Sequence, residues 1–420
     1  MKKVQHTLSG GRSGRLVATA GVAVAVTAAL AGCGTRNAPH GQSAAAPHGT
    51  NHSARHSASK PATSGRTTAR TVSTRTTDRP VPRSFAATSV TFVSSTDTFV
   101  LGTSHCSSAV CTSIAHSINR GATWSSLPAP PARISQAGSG TGVWGIRFAT
   151  PTQGFVFGAK LWQTTDGGLH WSQTAITGGA VLSLAIVRGQ VLAVTAHCSA
   201  SSGCSFSGEL RRRPLSGGSW HPLASIRVTS LIDPNDLIGT LAGNAAVLNG
   251  SHVIVTSNGG LTHASHATPC RGIRSYVATS VAVTAATGSL ALLCTGQGFT
   301  GHTFKRVYVS NDGGRHWTRK GTPPTAGDGG TLTAATPSDL VIATESAGSW
   351  LYRSTNGGQT WHTVKFYGDG GEGWADLGFT TSANAVVVHG PALSNRNSER
   401  RSGKLVLTAN GGATWTAITF

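Results

Sequence analysis

The sequence is poor in charge, and poorest in negative charge. Only 11% of its 420 residues are charged, and 14 Asp and Glu stand against 34 Lys and Arg. Aromatic residues make up 6%, and there is a single Met. So little charge excludes long solvated helices and coiled coils. So few acids leave little room for paired carboxylates. No His-Glu-x-x-His, Gly-rich phosphate loop, Cys-x-x-Cys or Ser-His-Asp signature appears, which removes the sequence support for those chemistries. What the chain has instead is 54 Gly, with abundant Ser and Thr. That composition fits many short strands and turns.

The formal charge of +20 would first suggest nucleic acid or a membrane surface. Its distribution decides between them. Lys2, Lys3, Arg12 and Arg15 precede an apolar run from Leu16 to Leu30. The run is too short to span a bilayer comfortably and suits the core of a signal peptide. Leu30-Ala31-Gly32-Cys33 follows. This tetrad resembles the bacterial lipobox, which implies cleavage after residue 32 and diacylation of Cys33. Residues 34–83 hold Ala, Ser, Thr, Pro, Gly, His and Arg with almost no large apolar side chain. Such a stretch cannot bury enough surface to offset its ordering entropy, so residues 33–83 are expected to be a lipidated Cys and a disordered basic tether. The signal carries +4 and the tether +7, which leaves +9 for residues 84–420. No nucleic-acid partner is expected. The anticipated address is the outer face of the cell membrane of a Gram-positive bacterium, reached through the N-terminal lipid.

Residues 84–420 repeat. An octet recurs as Ser117–Trp124, Thr164–Trp171, Ser310–Trp317, Ser354–Trp361 and Thr408–Trp415, with degenerate copies at Arg213–Trp220 and Thr256–His263. Successive copies lie 43 to 54 residues apart. Asp or Asn at the third position can accept bonds from following backbone N–H groups. Gly at the fifth supplies a positive φ. The closing Trp can tuck under the turn. Asn119, Gly121 and Trp124 fill these places in the first copy; Asp166, Gly168 and Trp171 in the second; Asp312, Gly314 and Trp317 in the fifth; Asn356, Gly358 and Trp361 in the sixth; Asn410, Gly412 and Trp415 in the last. Their expected role is structural.

The octet resembles the Asp box, or bacterial neuraminidase repeat, of sialidases, sortilin-type receptors, some endoglucanases and photosystem assembly factors. The resemblance implies an all-β fold: a seven-bladed β-propeller of four-stranded blades, or six blades if the Trp-less fourth copy is spurious. The cadence of Gly145–Trp171 is most similar to the assembly-factor subgroup. Because the last octet lies five residues from Phe420, each blade is expected to run whole, without strand exchange where the ring closes.

Six Cys remain besides Cys33: Cys106, Cys111, Cys198, Cys204, Cys270 and Cys294. In an exported chain they read as disulfides 106–111, 198–204 and 270–294. Zinc on the two His-Cys loops is the rival reading. By topology the octets occupy one face of the disc. The Cys loops, Thr295–Lys305, the Gly-rich connection Tyr367–Asp376 and the loop His389–Lys404, with Arg396, Arg400 and Arg401, occupy the other. That loop-rich face is the expected place for a protein or glycan ligand.

Asp369, Glu372 and Asp376, with Tyr367 and Trp374 beside them, form the densest acidic cluster and the only weak catalytic candidates. A sialidase would also need an arginine triad and an Arg-Ile-Pro element before the first octet; no such element precedes Ser117, and Glu345 with Tyr352 or Tyr367 is a bare possibility. Trp144, Trp162, Trp350 and Trp374 fall outside the octets and could stack on sugars. The expected function is a monomeric, lipid-anchored binding or scaffold module, including assistance to assembly of a membrane complex. No cofactor and no metal is expected. A glycoside hydrolase is the alternative.

Overall fold

The computed structural model describes residues 79–107, 109–201, 203–228, 237–240, 243–284, 288–391 and 403–420. Cys33, the signal segment and nearly all of the tether lie outside them. The described residues form seven four-stranded antiparallel sheets, each with its strands in chain order. The first contains Ala86–Phe92, Thr98–Cys106, Ala109–Ser117 and Ser125–Leu127. The inner strands of the next six are Val143–Phe148, Ala180–Val187, Leu237–Gly239, Val277–Val283, Asp328–Ala334 and Trp374–Phe379. Each inner strand touches the next, and the last returns to the first. The fold is therefore a seven-bladed β-propeller whose blades run whole from N to C. The six-bladed alternative is excluded, because the Trp-less octet heads a full blade of its own.

The core is distributed over the seams. In a ring of face-to-face sheets, the middle strands are covered on both sides, so they read as continuous apolar runs rather than alternating ones. Val191, Leu192, Ala193 and Val194 are all fully buried, and every residue of Gly154–Gly158 and Ala385–His389 is buried. Outer strands such as Ser172–Thr174 and Thr318–Arg319 stay largely exposed. Arg79 and Pro80, assigned to the tether by composition, lie alongside the outer strand of the first blade. Pro80 bridges Ser125, and the Ser126 N–H donates to the Arg79 carbonyl at 2.7 Å. This short cover satisfies part of an otherwise open edge.

Six of the seven octets share one hydrogen-bond pattern. In Thr164–Trp171 the Thr164 hydroxyl donates to Asp166 Oδ1 at 2.9 Å and accepts from Gly168 N at 2.9 Å. Asp166 Oδ1 accepts from His170 N at 3.0 Å. The same three bonds recur at Ser117, Thr256, Ser310, Ser354 and Thr408. Gly168 has φ +90°, a conformation that L side chains resist. The closing indoles of Trp361 and Trp415 donate to the Gly358 and Gly412 carbonyls, each at 3.0 Å. The third blade departs from the pattern. Arg213 stands where the hydroxyl should be, buried, with its guanidinium over Trp220 at 5.0 Å and Phe155 at 5.4 Å and bonded to Gln163 at 2.7 Å. A cation–π stack there takes the place of the octet's hydrogen bonds.

A second recurring device lies on the inner strands. Ser89, Ser183 and Ser280 are buried. Their hydroxyls accept the N–H of the next blade's inner strand, from Ile146 at 3.1 Å, Leu237 at 3.0 Å and Leu332 at 2.9 Å. Each Ser stands beside a break in the ladder with its own second strand. The bulge frees the side chain to face across the seam rather than along it.

Candidate binding face

The face opposite the octets carries the blade-to-blade connections and the turns between second and third strands. Its densest polar cluster is built by the connection from His362–Tyr367 in the sixth blade to Trp374–Phe379 in the seventh. Gly371 has φ +85°, and a Cβ there would meet the Ser346 carbonyl oxygen at 1.8 Å. Only glycine lets the loop press this closely on the sixth blade. The close pass aims Asp369 inward. Asp369 accepts from Ser349 Oγ at 2.9 Å, from Gly371 N at 2.9 Å and from His389 Nε2 at 2.5 Å. His389 ends a buried strand, and its side chain is only 4% exposed. Tyr367 stacks on its ring at 4.1 Å, and Trp374 tilts against it at 4.8 Å. A Glu372 oxygen completes the group, with one ligand atom each from Asp369, Glu372 and His389 within 4.8 Å of one another.

Burial pushes the Asp369 carboxyl up, but the bonds from Gly371, His389 and Ser349 outweigh it and hold the group below the usual carboxylate range. Burial, and then the Asp369 charge, push the Tyr367 phenol up. Asp369 is thus a fixed acceptor at the centre of three donors. The Ser349 hydroxyl is held by the Asp369 carboxylate, to which it donates. Glu345 accepts from Trp374 N at 3.1 Å. Tyr352 is buried and donates to the Ala326 carbonyl at 3.1 Å.

Asp376 belongs elsewhere. It has φ +51° at the inner-strand bulge of the seventh blade. Its carboxylate accepts from Val90 N at 2.8 Å, from Ser89 Oγ and from Arg147 at 2.8 Å. Through Ser89, which itself accepts from Ile146 N, one carboxylate ties the seventh, first and second blades together. It serves the closing seam as the buried serines serve three others, with a charge added. Ala87 N to Gly403 O at 2.8 Å, and Phe420 against Phe85 at 4.6 Å and Trp124 at 4.9 Å, complete the closure.

Two of the three expected disulfides are present, Cys198–Cys204 and Cys270–Cys294. The third is corrected: Cys106 and Cys111 are free thiols. The strand register gives the reason. Cys198 directly opposes Cys204, whereas Cys106 opposes Ala109 and Cys111 opposes Ser104. Equivalent loops therefore hold their sulfurs differently. Thr295–Lys305 is not an open loop but the end of a long hairpin, Leu290–Phe299 with His302–Ser310. Arg396, Arg400 and Arg401 lie outside the described residues.

The four non-octet tryptophans do not stand open as sugar platforms. Trp144 is buried and donates to the Leu182 carbonyl at 3.3 Å. Trp162, Trp350 and Trp374 are half-buried against the core. The face instead exposes apolar groups that composition did not flag. Among the described residues, eight large apolar side chains are exposed, and six of them, Val110, Phe206, Val277, Phe299, Phe304 and Phe366, sit at strand ends on this face. Phe299 lies 6.1 Å from Phe304, and Phe366 lies 5.2 Å from Trp350. The available signal was an apolar residue inside a loop otherwise made of Gly, Ser and Thr.

No family model matches the sequence, and no curated protein matches it. Among solved structures, YCF48 from Cyanidioschyzon merolae is similar at TM-score 0.51 and 16% identity, over 79% of this chain and 97% of that one. YCF48 bound to D1 peptide is similar at TM-score 0.49 and 17% identity, over 79% and 95%. An ancestral GH74 enzyme is similar at TM-score 0.49 and 12% identity, over 81% of this chain and 47% of that one. The likeness to YCF48 from Cyanidioschyzon merolae agrees with the propeller fold seen in the seven sheets.

Proposed function

We propose that this propeller is a protein-binding or scaffold module that engages its partner with the face opposite the octets. The observation that carries the reading is the placement of six exposed apolar side chains at strand ends of that face. Burying one Phe against a partner contributes about 2 kcal/mol, so several such contacts together offset part of the cost of association. Exposed Phe and Val suit a polypeptide surface better than a sugar, which is gripped by open Trp and Tyr rings. The fold shared with YCF48, one structure of which holds a D1 peptide, is compatible with this use. Asp369, held by three donors and beside Glu372, gives the face a fixed acidic point.

The test places a photo-crosslinking amino acid at Phe299, at Phe366 and, as a control, at Leu261 on the octet face. Polypeptide adducts at the first two and none at the third are expected in cells. Equal labelling at all three, or none, would show that this face is not the docking surface. The lipobox-like tetrad ending at Cys33 supports an address at the outer face of a membrane, held through a lipid. The Cys33→Ser variant is then expected to move from the detergent phase to the aqueous phase.

A further inference from the structure

Cys106 and Cys111 close the hairpin between the second and third strands of the first blade. Cys106 is exposed and Cys111 is half-buried. Because Cys106 opposes Ala109, Cys111 stands two residues further along the opposite strand, on the same side of the ladder. The two thiols are thus diagonal neighbours across a two-residue turn whose first residue, Ser107, has φ +54°. The neighbouring Cys106 thiol, and then burial, push the Cys111 thiol up.

Diagonal Cα atoms in an antiparallel pair lie about 7–8 Å apart, while disulfides favour about 4.4–6.8 Å. Joining these sulfurs therefore requires the hairpin tip to tighten. Cys198 and Cys204, in the equivalent hairpin of the third blade, are direct register partners with Cα atoms 3.8 Å apart, closer than that range, so their bridge has no gap to close. Cys270 and Cys294 sit at 5.6 Å, inside the favoured range, and both are buried.

We propose that Cys106 and Cys111 form a reversible dithiol–disulfide site, oxidised by exchange with a disulfide, whereas the other two pairs are permanent staples. The Cys106 thiolate attacks one sulfur of the incoming disulfide and expels a thiolate. The Cys111 thiolate then attacks Cys106 Sγ in the mixed disulfide and expels the second. The protein loses two electrons and two protons, and the oxidant is reduced to two thiols. A bridge formed at the cost of tightening the hairpin is more easily reduced than an unstrained one.

The experiment equilibrates the full chain in graded mixtures of reduced and oxidised glutathione, traps thiols by alkylation, and quantifies each cysteine by peptide mass. The 106–111 pair is expected to be half-oxidised at a glutathione ratio at least tenfold more oxidising than either other pair, which is about 30 mV. In Cys106→Ser, Cys111 is expected to accumulate a glutathione adduct that the wild type resolves. Co-titration of all three pairs overturns the proposal. So does a wild type that carries stable adducts on Cys106 without forming the bridge.

Discussion

The two faces of the disc satisfy their polar groups over different distances. On the octet face, a hydroxyl, a carboxylate or amide, and three backbone N–H groups close on one another within eight residues. Six turns repeat that pattern with bond lengths that barely vary. On the opposite face and along the inner strands, partners come from different blades: Asp376 bonds to Val90, 286 residues away. Local closure makes the octets interchangeable and self-sufficient. Closure across blades makes each contact singular, and it leaves apolar side chains exposed where strands overrun the ring. The repeating face holds the shape, and the irregular face has the material for recognition.

The largest expected break in this contrast is at the closing seam. Asp376→Ala removes the acceptor shared by Val90, Ser89 and Arg147 and should destabilise the ring by about 3 kcal/mol, near the lower end for a broken buried pair because both partners are partly exposed. A urea midpoint unchanged from wild type would mean the seam closes without it.

Next is Lys305, fully buried, whose ammonium donates to the carbonyls of Thr303, Thr325, Ala326 and Gly327 at 2.7–3.3 Å. Burial lowers its pKa from 10.5 to about 8. Between those values the unfolded chain binds more protons, so stability should rise with pH from about 8 to 10, by roughly 2 to 3 kcal/mol. Neighbouring Tyr352 is raised by burial from 10 to about 12. There the folded chain holds its proton longer, so stability should fall above pH 10. Denaturation midpoints across this range should peak near pH 10 in the wild type, and Lys305→Met should lose the rising limb.

An octet hydroxyl counts for less. Ser354→Ala deletes a donor to Asn356 and an acceptor for Gly358, and should cost about 1 kcal/mol. A loss as large as that of Asp376→Ala would erase the distinction between the faces. The smallest effect separates the octets themselves. Bonds from the His316 backbone and ring hold the Asp312 carboxyl far below the carboxylate range. At Asp166 the bonds from His170 and Thr164 outweigh burial in the same direction. A depressed carboxyl stabilises above its unfolded pKa and ceases to as pH falls through the folded one. Amide exchange should therefore quicken in strong acid at the Asp166 and Asp312 turns and not at Asn356 or Asn410.

Much of the fold was legible because the octet is local. Its Asp or Asn, its fifth-position Gly and its spacing of about 48 residues carry their own geometry, so the four-stranded blades and a count of six or seven follow from the string. The Trp-less fourth copy works because the Ser/Thr–Asx–Gly bonds, and not the indole, define the turn. The candidate site was legible only in part. Asp369, Glu372 and Asp376 are close in sequence, yet a bulge and a positive φ turn Asp376 into the seam, while Gly371 presses Asp369 against Ser349 and His389. Nothing near His389 in the sequence announces that meeting. The exposure of Phe299, Phe304 and Phe366 is not legible in the sequence, because strand alternation does not show which ends overrun the ring.

The sequence by itself determined the turns, the repeat and the four-stranded blades, since each rests on bonds closed within a few residues, while the seven sheets decided seven blades over six. Tertiary structure alone decided which acid locks the ring, which cysteines meet squarely, and which side chains gather on the open face. Those outcomes depend on register and on contacts between distant blades, where a shift of one or two residues reverses a partner without altering any local motif.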